Sequence, residues 1–181
     1  MIKGIICFET EWDVRSKNKL DTEPLLRFLE TYYKGLDCIH RNIVTKDQLV
    51  FYFKKFGTKQ FQDYAVFFCS HGETGTIKLE GEKNDVSLEE LAELAGNFFS
   101  DKIVHFSSCR TLKGNSVLNF MEDSQAKAVS GYTKVVDMTK SAICDLTYYD
   151  TIIRMKQLVS AKKKLEVLDI AKDLGFRMEV R

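Results

Sequence analysis

Two short apolar runs, Ala65–Cys69 and Ile103–Phe106, constrain this chain more than any other feature. Each is too short for a helix and rich in residues that suit a buried strand. Between them, Ser87-Leu-Glu-Glu90 forms a capping box in front of SLEELAELAGNFF, whose Leu88, Leu91, Ala92, Ala95 and Phe99 make one apolar helix face. Strand, crossover helix, strand is a right-handed βαβ unit, so the two strands run parallel and end on the same side of the sheet. The first run ends in Ser70-His71-Gly72 and the second in Ser107-Ser108-Cys109. An imidazole and a thiol therefore emerge at one carboxyl edge, where ligands and chemistry collect in open α/β sheets.

The flanking sequence continues the same rhythm. Lys3–Phe8 reads as a strand, followed by a polar loop, Glu9 to Leu20, that holds the only tryptophan, Trp12. A helix starts near Thr22, with Pro24 in its first turn and Leu25, Phe28, Leu29 and Tyr32 at helical spacing; Gly35 stops it. Cys38–Ile43 is a second strand. Thr45-Lys-Asp-Gln48 is another capping box, ahead of Leu49, Tyr52, Phe53 and Phe56. Beyond Cys109, a short helix over about 116–122 leads to a strand at 126–131. Asp137 or Thr139 then caps a helix carrying Ala142, Ile143, Leu146, Tyr149 and Ile153. A last helix over 160–174 precedes Phe176–Val180, whose alternation predicts an edge strand. The whole reads as one α/β domain over 1–181, with no linker or repeat.

Basic and acidic residues number 27 and 26, a balance that gives no reason to expect nucleic acid or an anionic membrane as partner. No apolar run approaches a membrane span, and MIKGIICFE lacks a signal peptide's layout, so the expected location is cytoplasmic. The five cysteines show no CxxC spacing, which predicts reduced thiols rather than a disulfide framework or a zinc site. Cys7, Cys38, Cys69 and Cys144 lie within strands or helices and are read as small core residues. His40 and His105 fall inside strands and are read as core or edge residues.

Cys109 and His71 differ because both follow an apolar strand by the same short step. A cysteine nucleophile works as thiolate, and a nearby histidine takes up and later returns the proton. A strand end leading into a helix also presents backbone N–H groups to a developing oxyanion, and Gly72 allows close approach to the chain. No metal or cofactor is called for.

AVFFCSHG and KIVHFSSCRT resemble the signature of the caspase-like clan of cysteine peptidases. SSCRT, together with AKAVSGYTKVVD and the following Tyr148-Tyr149, is most similar to the CHAT-domain branch. The resemblance implies a caspase-type three-layer sandwich, with a mostly parallel sheet of five to six strands and helices on both faces. It implies a cysteine endopeptidase that forms a thioester acyl-enzyme, with His71 as base and acid and Cys109 as nucleophile. The amides of Gly72 and Cys109 would be the oxyanion donors. Metacaspases carry an aspartate two residues before the cysteine, where this chain has Ser107. Arg15 and Arg110 could serve an acidic substrate residue, whereas Glu9, Asp13 and Asp137 could serve a basic one; Asp13, Ser107 and Asp137 are the substrate-pocket candidates. The expected partners are a protein or peptide substrate and a regulatory protein. Two other readings stand beside this one. A silent caspase-like scaffold that binds a peptide or partner has no need of both His71 and Cys109. A nucleotide-binding domain would need a glycine-rich loop after the first strand, where IICFETEWD stands.

Overall fold

The computed structural model describes residues 2–10, 12 and 21–181. In chain order it forms β1 (Gly4–Thr10), α1 (Glu23–Tyr32), β2 (Asp37–Ile43), α2 (Lys46–Phe56) and β3 (Tyr64–Cys69). Three two-residue strands follow, β4 (Gly72–Glu73), β5 (Thr76–Ile77) and β6 (Val86–Ser87), and then α3 (Leu88–Ala95) and β7 (Ile103–Ser107). The chain closes with α4 (Ser116–Ser124), β8 (Ala128–Tyr132), α5 (Met138–Arg154), α6 (Leu158–Glu166), α7 (Asp169–Leu174) and β9 (Phe176–Val180).

The main sheet has six strands in the order β2-β1-β3-β7-β8-β9. The first five are parallel, and β9 joins β8 antiparallel at the edge. Strand side chains alternate between faces, and both faces are covered. Ile6, Phe8, Val66, Phe68, Val104 and Phe106 point to one layer, against α2, α3 and α4. Ile5, Cys7, Ala65, Phe67 and Cys69 point to the other, against α1, α5 and α6. The result is an α/β three-layer sandwich.

Local chemistry explains most boundaries. Thr45 and Gln48 exchange the two hydrogen bonds of a capping box at the start of α2. At α3 the Ser87 hydroxyl accepts from Glu90 N–H. Three readings of the helices need correction. On α1, Leu26 and Leu29 are buried, while Phe28 is 46% exposed and Tyr32 70% exposed, their rings packed on each other at 4.6 Å. This helix lies at the margin of the sheet and buries only a narrow stripe. On α5 the buried face is Ser141, Cys144, Asp145, Tyr148, Tyr149 and Ile152, so the expected Ala142 and Ile143 face solvent. The last expected helix is two. The chain turns extended at Leu168, and that residue packs against the cluster of Tyr132, Cys144, Ala171 and Leu174.

Candidate active site

The carboxyl ends of β3 and β7 are fastened to each other just before His71 and Cys109. Ser70 follows β3 and Ser108 follows β7; both are buried, and their hydroxyls lie 3.0 Å apart. Because β3 and β7 are in parallel register, Cys69 beside Ser107, this bond ties the residues immediately preceding His71 and Cys109. Gly72 then packs on the cysteine loop. A Cβ at this position would lie 2.4 Å from Thr111 Oγ1 and 2.8 Å from the Cys109 carbonyl oxygen. The space that a glycine leaves here is filled by the chain itself rather than kept for an incoming substrate.

Cys109 is the one cysteine of the five that is not buried. The Val136 N–H donates to its sulfur at 3.4 Å, a bond that a negatively charged sulfur accepts more strongly than a neutral thiol. Arg110, next in the chain, has left-handed backbone with φ 56°, a conformation that costs a non-glycine residue about 1–2 kcal/mol. It is held by an N–H bond to the Lys134 carbonyl at 3.0 Å and by a guanidinium pair with Glu73 at 3.1 Å.

His71 is exposed, and its ring packs nearly perpendicular to that of Trp12, centroids 5.1 Å apart. Its Nε2 lies 3.1 Å from the Trp12 carbonyl oxygen. A carbonyl can only accept, so Nε2 carries a proton; a ring with one proton then has its lone pair on Nδ1. His71 and Cys109 line one cleft of about 300 Å³, walled by Trp12, Leu25, Val136 and Met138. No hydrogen bond joins the two side chains directly.

The cleft floor is a polar network that sequence reasoning passed over. Asp145, on α5 and 2% exposed, accepts from His105 Nε2 at 2.8 Å, from Ser107 Oγ at 2.6 Å and from the Tyr132 hydroxyl. The other nitrogen of His105 lies 2.9 Å from Ser130 Oγ, and its ring stacks on Tyr148 at 4.3 Å. Ser107 donates to the carboxylate, not to an imidazole, so this is a fixed floor rather than a second nucleophile. The signal was an acid in the apolar register of α5, beside Cys144 and Tyr148.

The other predicted residues fall in different places. Ser107 lines the cleft. Asp137 is exposed and caps α5, its carboxylate accepting from Lys140 N–H at 3.0 Å; it is not among the lining residues. Asp13 and Arg15 lie outside the described residues. Glu9 is buried at the end of β1 and bonded to His40 Nε2 at 2.6 Å. Ligand atoms of Glu9, Asp21 and His40 lie within 4.8 Å of one another. That is close enough for a cation, but both Glu9 oxygens already accept from Trp12, Thr22 and His40.

A profile for DUF6642, a family of unknown function, matches residues 3–179. The chain belongs to DUF6642. No curated protein matches it. Among solved structures, this DUF6642 chain is similar to pro-sf-caspase-1, at 12% identity and a TM-score of 0.58, covering 91% of this chain and 79% of that one. It is also similar to a secreted C11 cysteine protease from Bacteroides thetaiotaomicron, solved in complex with an irreversible peptide inhibitor. There the identity is 11% and the TM-score 0.58, with 88% of this chain and 56% of the other covered. At such identities the likeness establishes the fold of the DUF6642 chain. Among the described residues, no helix is long and apolar enough to cross a membrane.

Proposed function

We propose that this DUF6642 chain is a cysteine endopeptidase acting through His71 and Cys109. The observation that carries the reading is the cleft itself. It receives the one unburied thiol and an imidazole whose Nε2–H is engaged by a carbonyl, which leaves Nδ1 as the base. In the proposed reaction Nδ1 takes the thiol proton and the sulfur attacks the peptide carbonyl carbon. The oxyanion is met by the N–H groups of Gly72 and Cys109. His71 returns the proton to the leaving amine, the C–N bond breaks and a thioester remains. Water, deprotonated by His71, then attacks the thioester, releasing the acid and regenerating the thiol. The caspase-like fold supports this chemistry class, and SSCRT keeps the CHAT-type branch as the finer affiliation.

Substrate and setting belong to the same proposal. The substrate is a protein or peptide, a regulatory partner controls access, and the free cysteines suit the cytoplasm. A silent peptide-binding scaffold is the second reading, favoured by the absence of a direct His71–Cys109 hydrogen bond. Apo catalytic pairs are often this loose and tighten on binding substrate. Turnover of a fluorogenic peptide library decides between them. Hydrolysis that disappears with Cys109→Ala supports the peptidase; binding without turnover by the intact chain supports the scaffold.

A further inference from the structure

Glu9 is 2% exposed, and its carboxylate gathers donors from three parts of the chain. His40 Nε2, on the neighbouring strand β2, donates to Oε2 at 2.6 Å. The Trp12 indole N–H donates to Oε1 at 2.6 Å. The Thr22 hydroxyl donates to Oε1 at 2.8 Å, and the Thr22 N–H lies 3.1 Å from both oxygens. One carboxylate thus holds both Trp12 and Thr22, the described ends of the segment between β1 and α1. Trp12 is also the residue whose carbonyl takes the His71 Nε2–H and whose ring stands against the imidazole.

We infer that Glu9, paired with His40, is a positioning residue for His71 and acts through Trp12. The inference rests on the reading of His71 as the catalytic base. His71 is exposed at a strand end, where an unrestrained imidazole samples several rotamers and both neutral tautomers. The Trp12 carbonyl selects one tautomer, and Glu9 fixes where that carbonyl sits. Donors to an ionised acceptor make stronger bonds than donors to a neutral one, so the clamp works as a carboxylate.

The charge state agrees with that role. Burial alone would push the Glu9 carboxyl up, but the bonds from His40, Trp12 and Thr22 outweigh it and hold the group below its ordinary value. The bond to Glu9 raises His40 against the opposing effect of burial, and the charges of Asp21 and Glu23 add to it. Glu23 Oε2 lies 3.9 Å from the other His40 ring nitrogen.

The test uses ¹⁵N-histidine-labelled full chain, in which three rings, His40, His71 and His105, are to be resolved. His105, locked by Asp145 and Ser130, serves as the folding control. In the native protein His71 is expected as the Nε2–H tautomer. Trp12→Phe removes the indole donor to Glu9 while keeping an aromatic ring beside His71. It should return His71 to a tautomer mixture and slow alkylation of Cys109 by iodoacetamide about tenfold or more, with His105 unmoved. Glu9→Ala should do the same, and the double variant should be no worse than either single one. Glu9→Gln keeps an oxygen for Trp12 and should recover to within about threefold of the native rate. Should Glu9→Ala not fold, Trp12→Phe carries the test alone, since Glu9 stays in place. A His71 tautomer and alkylation rate unchanged in Trp12→Phe would overturn the inference. So would additive losses in the double variant. Failure of the peptidase reading looks different: the intact chain would bind peptides without turnover, or Cys109→Ala would still hydrolyse them, while the tautomer result stood.

Discussion

Two clefts of nearly equal volume open at opposite ends of the main sheet, about 300 Å³ at the carboxyl ends and about 290 Å³ at the amino ends. At the amino end, the Lys102 ammonium is turned onto the carbonyls of Phe61 and Gln62, where the chain enters β3. Its donors serve the scaffold. At the carboxyl end the polar groups divide into two sets. Asp145, His105, Ser107 and Tyr132 satisfy one another in the floor, while Cys109 and His71 stand above it with bonding capacity left over. Volume does not distinguish the clefts. The difference is that strands leaving a parallel sheet hand their next residues to tight turns, which present side chains and N–H groups outward.

The comparison would break most plainly at His71 and Cys109, the proposed catalytic pair. Cys109→Ala should abolish peptide hydrolysis, and His71→Ala should cost about a thousandfold or more with an unchanged circular dichroism spectrum. Lys102→Met, in the other cleft, should leave the rate within about twofold of native. A loss from Lys102→Met as large as that from His71→Ala would make the amino-end cleft the better candidate.

The floor sharpens the contrast through stability. Asp145→Ala strands the donors of His105, Ser107 and Tyr132 in the interior and should cost about 3–5 kcal/mol in urea unfolding. Asp145→Asn keeps one acceptor oxygen and should cost less. Gly72→Ala should come next, at about 1–3 kcal/mol, because its methyl meets Thr111 and the Cys109 carbonyl. It should also lower turnover by shifting the cysteine loop. Wild-type stability in Gly72→Ala would mean that the loop yields freely.

The smallest effects are those of pH, and they run in opposite senses at the two ends. Burial pushes Lys102 down to about 8. The unfolded chain therefore holds that proton up to about 10.4, and stability contributed by this residue should rise from about pH 8 toward pH 10. Lys102→Met should flatten that rise. Near the other end, Glu9 is lowered and His40 raised. Glu9 stabilises above its unfolded value of about 4.3 and His40 below its unfolded value of about 6.5, so their joint contribution should be complete between those limits and fall off outside them. Urea midpoints of native and Glu9→Gln protein across pH 3–10 check both senses.

The residues that were legible in the sequence are those whose position follows from periodicity and strand direction. The β3–α3–β7 unit placed His71 and Cys109 on one edge because parallel strands must end together. Thr45 and Ser87 marked their helices through a local hydrogen bond. The unread features depend on contacts far apart in sequence. Asp145 interrupts the apolar face of α5, and its partners come from β7 and β8. Glu9 looked like the first residue of a polar loop, yet it extends β1 and is sequestered by His40, Trp12 and Thr22. The break at Leu168 has no glycine or proline to announce it; tertiary packing against Tyr132 and Cys144 decides it.

One measurement addresses the central claim, that two strand-end residues make a single catalytic site. The full chain is treated with a library of electrophilic peptide probes, and the modified residue is mapped by mass spectrometry. The account predicts a covalent adduct on Cys109 alone, formed slowly or not at all in His71→Ala. Labelling that is indifferent to His71, or adducts on Cys7, Cys38, Cys69 or Cys144 in place of Cys109, would contradict it.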